Sequence, residues 1–144
     1  MSDEKFLSQM EMDCDYWTKR LRLQDWSIHI KITPELPSVA RISIFAMDKT
    51  AVIRMRPCFT YKDGGCLDFE VSLVHELLHL HGAGFDKILL TNRNKNAGEA
   101  PTSEVEHDAY EAMVELTAQA LVGVRRGQDI PSFPPIASWT GVSA

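Results

Sequence analysis

The sequence predicts a single α+β domain in which an N-terminal helix and a small three-stranded sheet precede two further helices. In the first and last predicted helices, apolar residues recur every three or four positions, which is the period of a helix with one buried face. The first predicted strand alternates apolar and polar residues, as half-buried strands do, and two further runs have the composition of strands. The 144 residues are 44% hydrophobic and 24% charged, which is typical of one globular domain. We expect this domain to span residues 1–124, and residues 125–144 to form an extended tail that contains prolines.

The first helix is predicted over residues 3–23, with an apolar stripe that would cover the sheet. The stripe consists of Phe6, Leu7, Met10, Cys14, Trp17 and Leu21. Strands are predicted at residues 26–32, 39–46 and 50–56, and a short hairpin-like connection joins the last two. His29 falls on the polar side of the first strand, which predicts a surface histidine. The pattern does not indicate which strands lie at the edges of the sheet.

After a glycine-containing loop at residues 57–67, the next helical segment contains His75, Glu76 and His79 in the spacing H-E-x-x-H. Two histidines four positions apart lie one turn apart on the same helix face. Both imidazoles can therefore reach one zinc ion at about 2.0 to 2.1 Å. The carboxylate of Glu76 would lie beside the metal without binding it, where it can accept a proton from a water that the ion activates.

The residues around this motif predict a buried helix. Asp68 is a suitable N-cap and Gly82 a suitable helix stop. The segment between them is apolar almost all round, with Val71, Val74, Leu77, Leu78 and Leu80. The same spacing also arises by chance as a pair of core histidines, but polar residues in so apolar a helix favour a zinc site.

We expect the polar segment at residues 91–102 to be a mobile loop. The last helix is predicted to begin at a capping box formed by Ser103 and Glu106 and to end at about Val124. A catalytic zinc ion needs three protein ligands and one open position, so a third ligand is required. His81 lies about 200° around the helix from His79 and is predicted to point away from the metal.

Glu111 is the favoured third ligand. It stands in phase with an apolar stripe formed by Val114, Ala118, Leu121 and Val122. A carboxylate on a buried face needs a positive partner, and the ion would supply it. Glu115 and His107 remain alternatives, whereas Glu104, Glu106 and Asp108 fit a solvated face. Tyr110, Tyr61 and His81 are candidates for an assisting residue.

Residues 74–80, together with the helix at residues 111–121, resemble the small zincin-like metallopeptidases of phages and prophages. They are more distantly similar to the ImmA/IrrE-type regulatory proteases. The resemblance implies a minimal zincin-like fold, in which the N-terminal helix and the sheet precede a metal-binding helix and a C-terminal ligand helix. It also implies that the third zinc ligand is a glutamate on a later helix, as in gluzincin-like families, which fits Glu111.

These observations predict a zinc-dependent peptidase that hydrolyses a peptide bond with Glu76 as general base and His75, His79 and Glu111 as zinc ligands. The substrate would be a protein or peptide. The alternative is a non-catalytic, zinc-stabilised module that binds a host or regulatory protein. An intact H-E-x-x-H favours the enzyme.

The net charge and the hydropathy of the chain limit which partners and which location we expect. The net charge of −5, without a long Lys/Arg cluster, argues against a nucleic-acid partner. No apolar run reaches the length of a membrane span, and the N-terminus lacks the features of a signal peptide. We therefore expect the protein in the cytoplasm, either bacterial or of a phage-infected host.

Cys14, Cys58 and Cys66 are expected to be free thiols, although the last two flank a glycine pair and could form a disulfide if oxidised.

Overall fold

The computed structural model describes residues 2–57, 68–83 and 100–127. Within them the chain is α+β, as predicted, with three helices and three strands. The elements are α1 (Asp3–Arg20), β1 (Ser27–Ile32), β2 (Ala40–Phe45), β3 (Thr50–Met55), α2 (Phe69–His81) and α3 (Ala100–Arg125). Two compact units divide the chain, Met1–Leu80 and His81–Ala144. Several predicted features lie outside the described residues: the loop after residue 57, most of the segment at 91–102, the predicted tail beyond residue 127, Cys58, Tyr61 and Cys66.

The sheet has the order β1-β3-β2. β2 and β3 are antiparallel, which confirms the predicted hairpin, whereas β1 pairs with β3 in parallel and makes the sheet mixed. β3 is therefore the central strand among the described residues, and its inward side chains, Ala51, Ile53 and Met55, are completely buried. β1 and β2 form the two edges of this sheet.

Helix α1 packs one face against its own unit. Its N-cap is Ser2, whose hydroxyl accepts a hydrogen bond from the Lys5 amide. The buried face contains Phe6, Met10, Asp13, Cys14 and Trp17, which matches most of the predicted stripe and adds an acidic residue. Burial raises the pKa of the Cys14 thiol. Edge-to-face packing of Phe6 on Phe69, with ring centroids 4.8 Å apart, brings α1 against the start of α2.

Helix α1 ends at Arg20, three residues before the predicted end. Arg22 adopts a left-handed φ of 56°, and its amide donates to the Lys19 carbonyl. The Leu23 amide donates to the Thr18 carbonyl at 2.8 Å. This pair of bonds is a Schellman motif, which closes a helix through a left-handed residue that is usually glycine. The apolar periodicity continues past the motif, so it did not predict the stop.

Helix α2 begins as predicted, since the Val71 amide donates to the Asp68 carboxylate at 3.1 Å. Its environment differs from the prediction of a helix buried all round. One face is buried: Glu70, Val71, Leu73, Val74, Leu77 and Leu80. The side chains of His75, Glu76 and His79 are half-buried on the other face. Because apolar residues occur on several sides of α2, the sequence alone did not show which side would be buried. That is decided by neighbours that are distant in sequence.

Helix α3 begins at Ala100, three residues before the predicted start, so the predicted capping box is wrong. Ser103 lies inside the helix instead of capping it. Pro101 lies in the first turn, where a missing amide proton costs no intrahelical hydrogen bond. The helix ends at Arg125 and is followed by Gly127, whose φ of +72° suits a helix end. In the described part of the chain, no helix combines the length and the apolar character that a membrane span requires.

Candidate metal centre

The two histidines of α2 lie side by side on its half-buried face. Their Nε2 atoms are 3.3 Å apart, and their ring centroids are 5.1 Å apart with planes inclined by 55°. The four-residue spacing places the two side chains next to each other on one face of a regular helix. Both ε-nitrogens therefore point to the same position, on the side of α2 away from its buried face.

This separation fits a shared metal ion. Two nitrogens that each lie about 2.0 to 2.1 Å from one tetrahedral zinc ion are about 3.3 to 3.4 Å apart. A hydrogen bond between two neutral imidazoles has a similar length, with one ring as donor and the other as acceptor. The separation thus fits a shared zinc ion and equally a hydrogen bond between the two rings.

Glu76 is half-buried, and it follows His75 directly in α2. On a helix its side chain projects about 60° from that of His79 and about 100° from that of His75. Helix phase therefore places Glu76 beside the histidine pair, on the half-buried side of α2.

The three candidate third ligands lie in the second unit, on α3, in different environments. Glu111 is half-buried, and Val114, Ala118 and Val122 on its face are buried. Glu115 is also half-buried, and its carboxylate accepts a hydrogen bond from the Gln119 amide at 3.1 Å. His107 is exposed, as are Glu106 and Asp108. Glu111 is therefore the candidate that lies at the centre of the buried arc.

Gly82, immediately after α2, is held against α3 by a contact that the sequence did not predict. A Cβ built on Gly82 would overlap the hydroxyl of Tyr110 and lie 3.0 Å from its Cζ. Tyr110 is buried at 6% exposure, so its ring cannot readily swing away. Gly82 does not have the positive φ of a helix-stop glycine. Glycine is needed at position 82 because the Tyr110 ring approaches it closely, and no local sequence pattern reveals this contact.

Glu70 is a second residue whose contact the sequence motifs did not predict. Its carboxylate, at 8% exposure, accepts a hydrogen bond from the Trp17 indole at 3.0 Å. The sequence did indicate that Glu70 is buried, because it precedes Val74 by four positions and Leu77 by seven and so shares their buried face. The bond fixes the first turn of α2 against α1, five residues before His75.

Comparison with protein-family models, with curated protein sequences and with solved structures finds no match to this chain.

Proposed function

We propose that the protein is a zinc-dependent peptidase in which His75, His79 and Glu111 each supply one ligand atom to a zinc ion. The observation that carries the proposal is the 3.3 Å separation of the two histidine Nε2 atoms, which suits two ligands of one tetrahedral ion. Two imidazole nitrogens and one carboxylate are also the donor set of a catalytic zinc site, which leaves the fourth position open.

The choice of Glu111 is supported by its burial. A carboxylate in the buried arc of a helix requires a positive or hydrogen-bonding partner, whereas an exposed one does not. His107 is exposed, and Glu115, although half-buried, lies farther from the centre of the buried arc of α3. Glu111 is half-buried beside buried aliphatic residues.

The position of Tyr110 supports the same assignment. Gly82 follows His79 by three residues, less than one helical turn. The Tyr110 ring packs on Gly82, and Tyr110 is the residue before Glu111. This contact fixes the residue before Glu111 beside Gly82 within the second unit.

In the proposed reaction, the residues of this chain hold the ion and move one proton. A bound zinc ion lowers the pKa of water toward about 7 and polarises a carbonyl group. Glu76 accepts a proton from the attacking water and delivers it to the amine that leaves when the peptide bond breaks. A general base of this type contributes about 10² to 10⁴ in rate.

The decisive experiment compares the wild type with Glu76→Gln, because the amide preserves shape but cannot accept the proton. Both proteins, loaded with zinc, are incubated with a bacterial lysate, and new peptide termini are identified by mass spectrometry. We expect termini that appear only with the wild type, and equal zinc content in both. Glu106→Gln, an exposed glutamate on α3, is the matched control and should behave as wild type.

Two results would contradict the proposal in different ways. Equal zinc content with identical termini from wild type and Glu76→Gln would remove the peptidase and leave a zinc-stabilised binding module. Absence of zinc binding by the wild type, measured by elemental analysis after dialysis, would remove the metal site itself. His75→Ala provides the metal-free reference for both measurements.

A further inference from the structure

Strand β1 leaves one side of its backbone without a strand partner in the described part of the chain. The amides of Ser27 and Thr33, at its two ends, each donate at 2.8 Å to a carbonyl on the β3 side. Successive residues of a paired strand point their amide and carbonyl groups to opposite sides. Ile28, Ile30 and Ile32 therefore direct theirs away from β3. Because β1 is an edge strand of the described sheet, these groups lie at an open edge.

A groove of about 570 Å³ lies between this edge and α1. Its apolar lining includes Cys14, which is 7% exposed, and the half-buried Ile28 and Ile30. Ligand pockets in proteins typically measure about 300 to 1,000 Å³, so the groove has room for several side chains. All of its lining residues belong to α1, to β1 or to the turn between them, and none belongs to α2.

A row of amides and carbonyls beside a groove is the binding site of an extended polypeptide. Such a ligand adds a strand to the sheet, and the groove receives its alternate side chains. Proteins commonly protect a free edge with proline, a bulge or a covering element. Strand β1 has six residues and no proline. From Ile28 to Ile32 its edge measures about 13 Å at about 3.3 Å per residue, which pairs with about five residues of a ligand.

The charges on the outer face of the sheet specify half of the ligand's side chains. Side chains of an added strand that are level with Ile28 and Ile30 enter the groove, whereas the alternate ones lie on the opposite face. On that face, Lys31, Arg54 and Arg41 are cross-strand neighbours in one row. None of the three forms a salt bridge with another described residue. Opposite charges stabilise cross-strand pairs and like charges destabilise them, so this row favours an acidic residue beside Lys31.

The groove itself has the opposite preference. Its exposed lining on α1 includes Glu11, Asp15 and Lys19. Asp15 and Lys19 form a salt bridge at 3.0 Å, which leaves the charge of Glu11 uncompensated in this group. The groove therefore disfavours an acidic side chain and accepts an apolar one against Ile28 and Ile30.

We propose that α1 and β1 form a docking groove that binds an extended segment of a partner protein as a further strand of the sheet. In this segment, apolar residues that enter the groove alternate with acidic residues that lie beside Lys31. The proposal goes beyond the peptidase reaction, because no ligand of the proposed metal site lines the groove. Binding requires neither zinc nor Glu76.

The first test uses a capped nine-residue peptide that alternates valine and glutamate. It is added to the isotope-labelled full chain, and amide resonances are followed by NMR. We expect the amides of Ile28, Ile30 and Ile32 to shift, equally with and without zinc. A peptide that alternates valine and lysine should bind about fivefold more weakly, since one cross-strand pair changes from opposite to like charge. A peptide with the same valines and glutamates in two blocks is the control for composition and should also bind more weakly.

The second test changes the protein. Lys31→Glu, at an exposed position, should reverse the preference between the two alternating peptides. Arg41→Glu is the matched control, because Arg41 is exposed in the same row at the other edge of the sheet, and it should keep the preference. Thr18→Trp fills the groove from α1 and should abolish binding of both peptides. Thermal melts by circular dichroism verify that each variant folds, and the two exposed charge changes suffice if Thr18→Trp does not.

Four results would overturn the proposal. The first is that millimolar alternating peptide leaves the amides of Ile28, Ile30 and Ile32 unchanged. The second is that the charge preference follows Arg41→Glu, which would place the peptide at β2. The third is that binding needs zinc, which would place the peptide at the metal site. The fourth is that the same amides shift with protein concentration alone, which would make a second copy of the chain the occupant.

Discussion

The Trp17 indole donates a hydrogen bond to the Glu70 carboxylate at 3.0 Å in the interior of the first unit. Trp17 is 3% exposed and Glu70 8% exposed, so water cannot easily replace either partner. Hydrogen bonds to charged groups contribute about 1.5 to 3 kcal/mol, and losing one partner of a buried pair costs the desolvation of the other. This bond links α1 to the helix that carries the histidine pair.

Trp17→Phe should therefore lower the free energy of unfolding by about 2 kcal/mol or more, through the lost donor and the smaller ring. Chemical denaturation followed by circular dichroism measures it. Trp26→Phe, at a half-buried tryptophan in the turn before β1, is the matched control and should cost less. Equal losses for the two variants would show that the bond to Glu70 adds nothing beyond ring burial.

Gly82→Ala should destabilise the protein, although alanine is the better helix former. In an open helix end the change would stabilise by about 0.5 to 1 kcal/mol, but here the new methyl group meets the Tyr110 ring. Overpacking of this kind costs about 1 to 3 kcal/mol. A double-mutant cycle with Tyr110→Phe measures the coupling, since removing the hydroxyl relieves the worst overlap. Additive changes in the unfolding free energy would contradict the contact.

Arg22→Gly should raise the stability. Arg22 is the left-handed residue of the Schellman motif that ends α1, and glycine adopts a φ of 56° without the steric penalty of a Cβ. The expected gain is up to about 1 kcal/mol, reduced by the greater entropy of glycine in the unfolded chain. Arg20→Gly, within the last turn of α1, is the control and should destabilise. A loss of stability in Arg22→Gly would argue against the left-handed conformation.

Glu111→Gln should weaken zinc binding more than Glu115→Gln. Removal of a residue that hydrogen-bonds to a metal ligand lowers metal affinity by about 10- to 100-fold, and removal of a ligand itself should lower it further. Competition with a chromogenic chelator gives the dissociation constants, and Glu106→Gln serves as the exposed control. If Glu115→Gln proved the more damaging change, Glu115 would replace Glu111 as the third ligand.

The Asp25 carboxylate should titrate below its ordinary pKa of 3.8, chiefly because it accepts a hydrogen bond from Lys49. A depressed folded-state pKa means that this contribution to stability is present above the unfolded pKa and is lost as pH falls through the folded one. Lys49→Met should return the pKa toward 3.8, as followed by carboxyl chemical shifts in NMR. An unchanged titration curve would show that the pair does not persist in solution.

The sequence alone determined the elements and the histidine pair, because both depend on local spacing. Apolar periodicity placed three helices and three strands within a few residues of their observed bounds. The four-residue interval between His75 and His79 places their side chains next to each other on one face of any regular helix. Asp68 was likewise predictable as a cap, since the group it binds is three residues away.

Tertiary structure decided what depends on contacts between distant parts of the chain. The parallel pairing of β1 with β3, which makes β3 the central strand, cannot be read from alternation within each strand. The start of α3 moved because a capping box is a short pattern that a longer helix can override. Glycine at position 82 is explained by Tyr110, whose ring arrives from 28 residues along the chain. Local spacing fixes which side chains share a face, whereas only packing decides which face is covered.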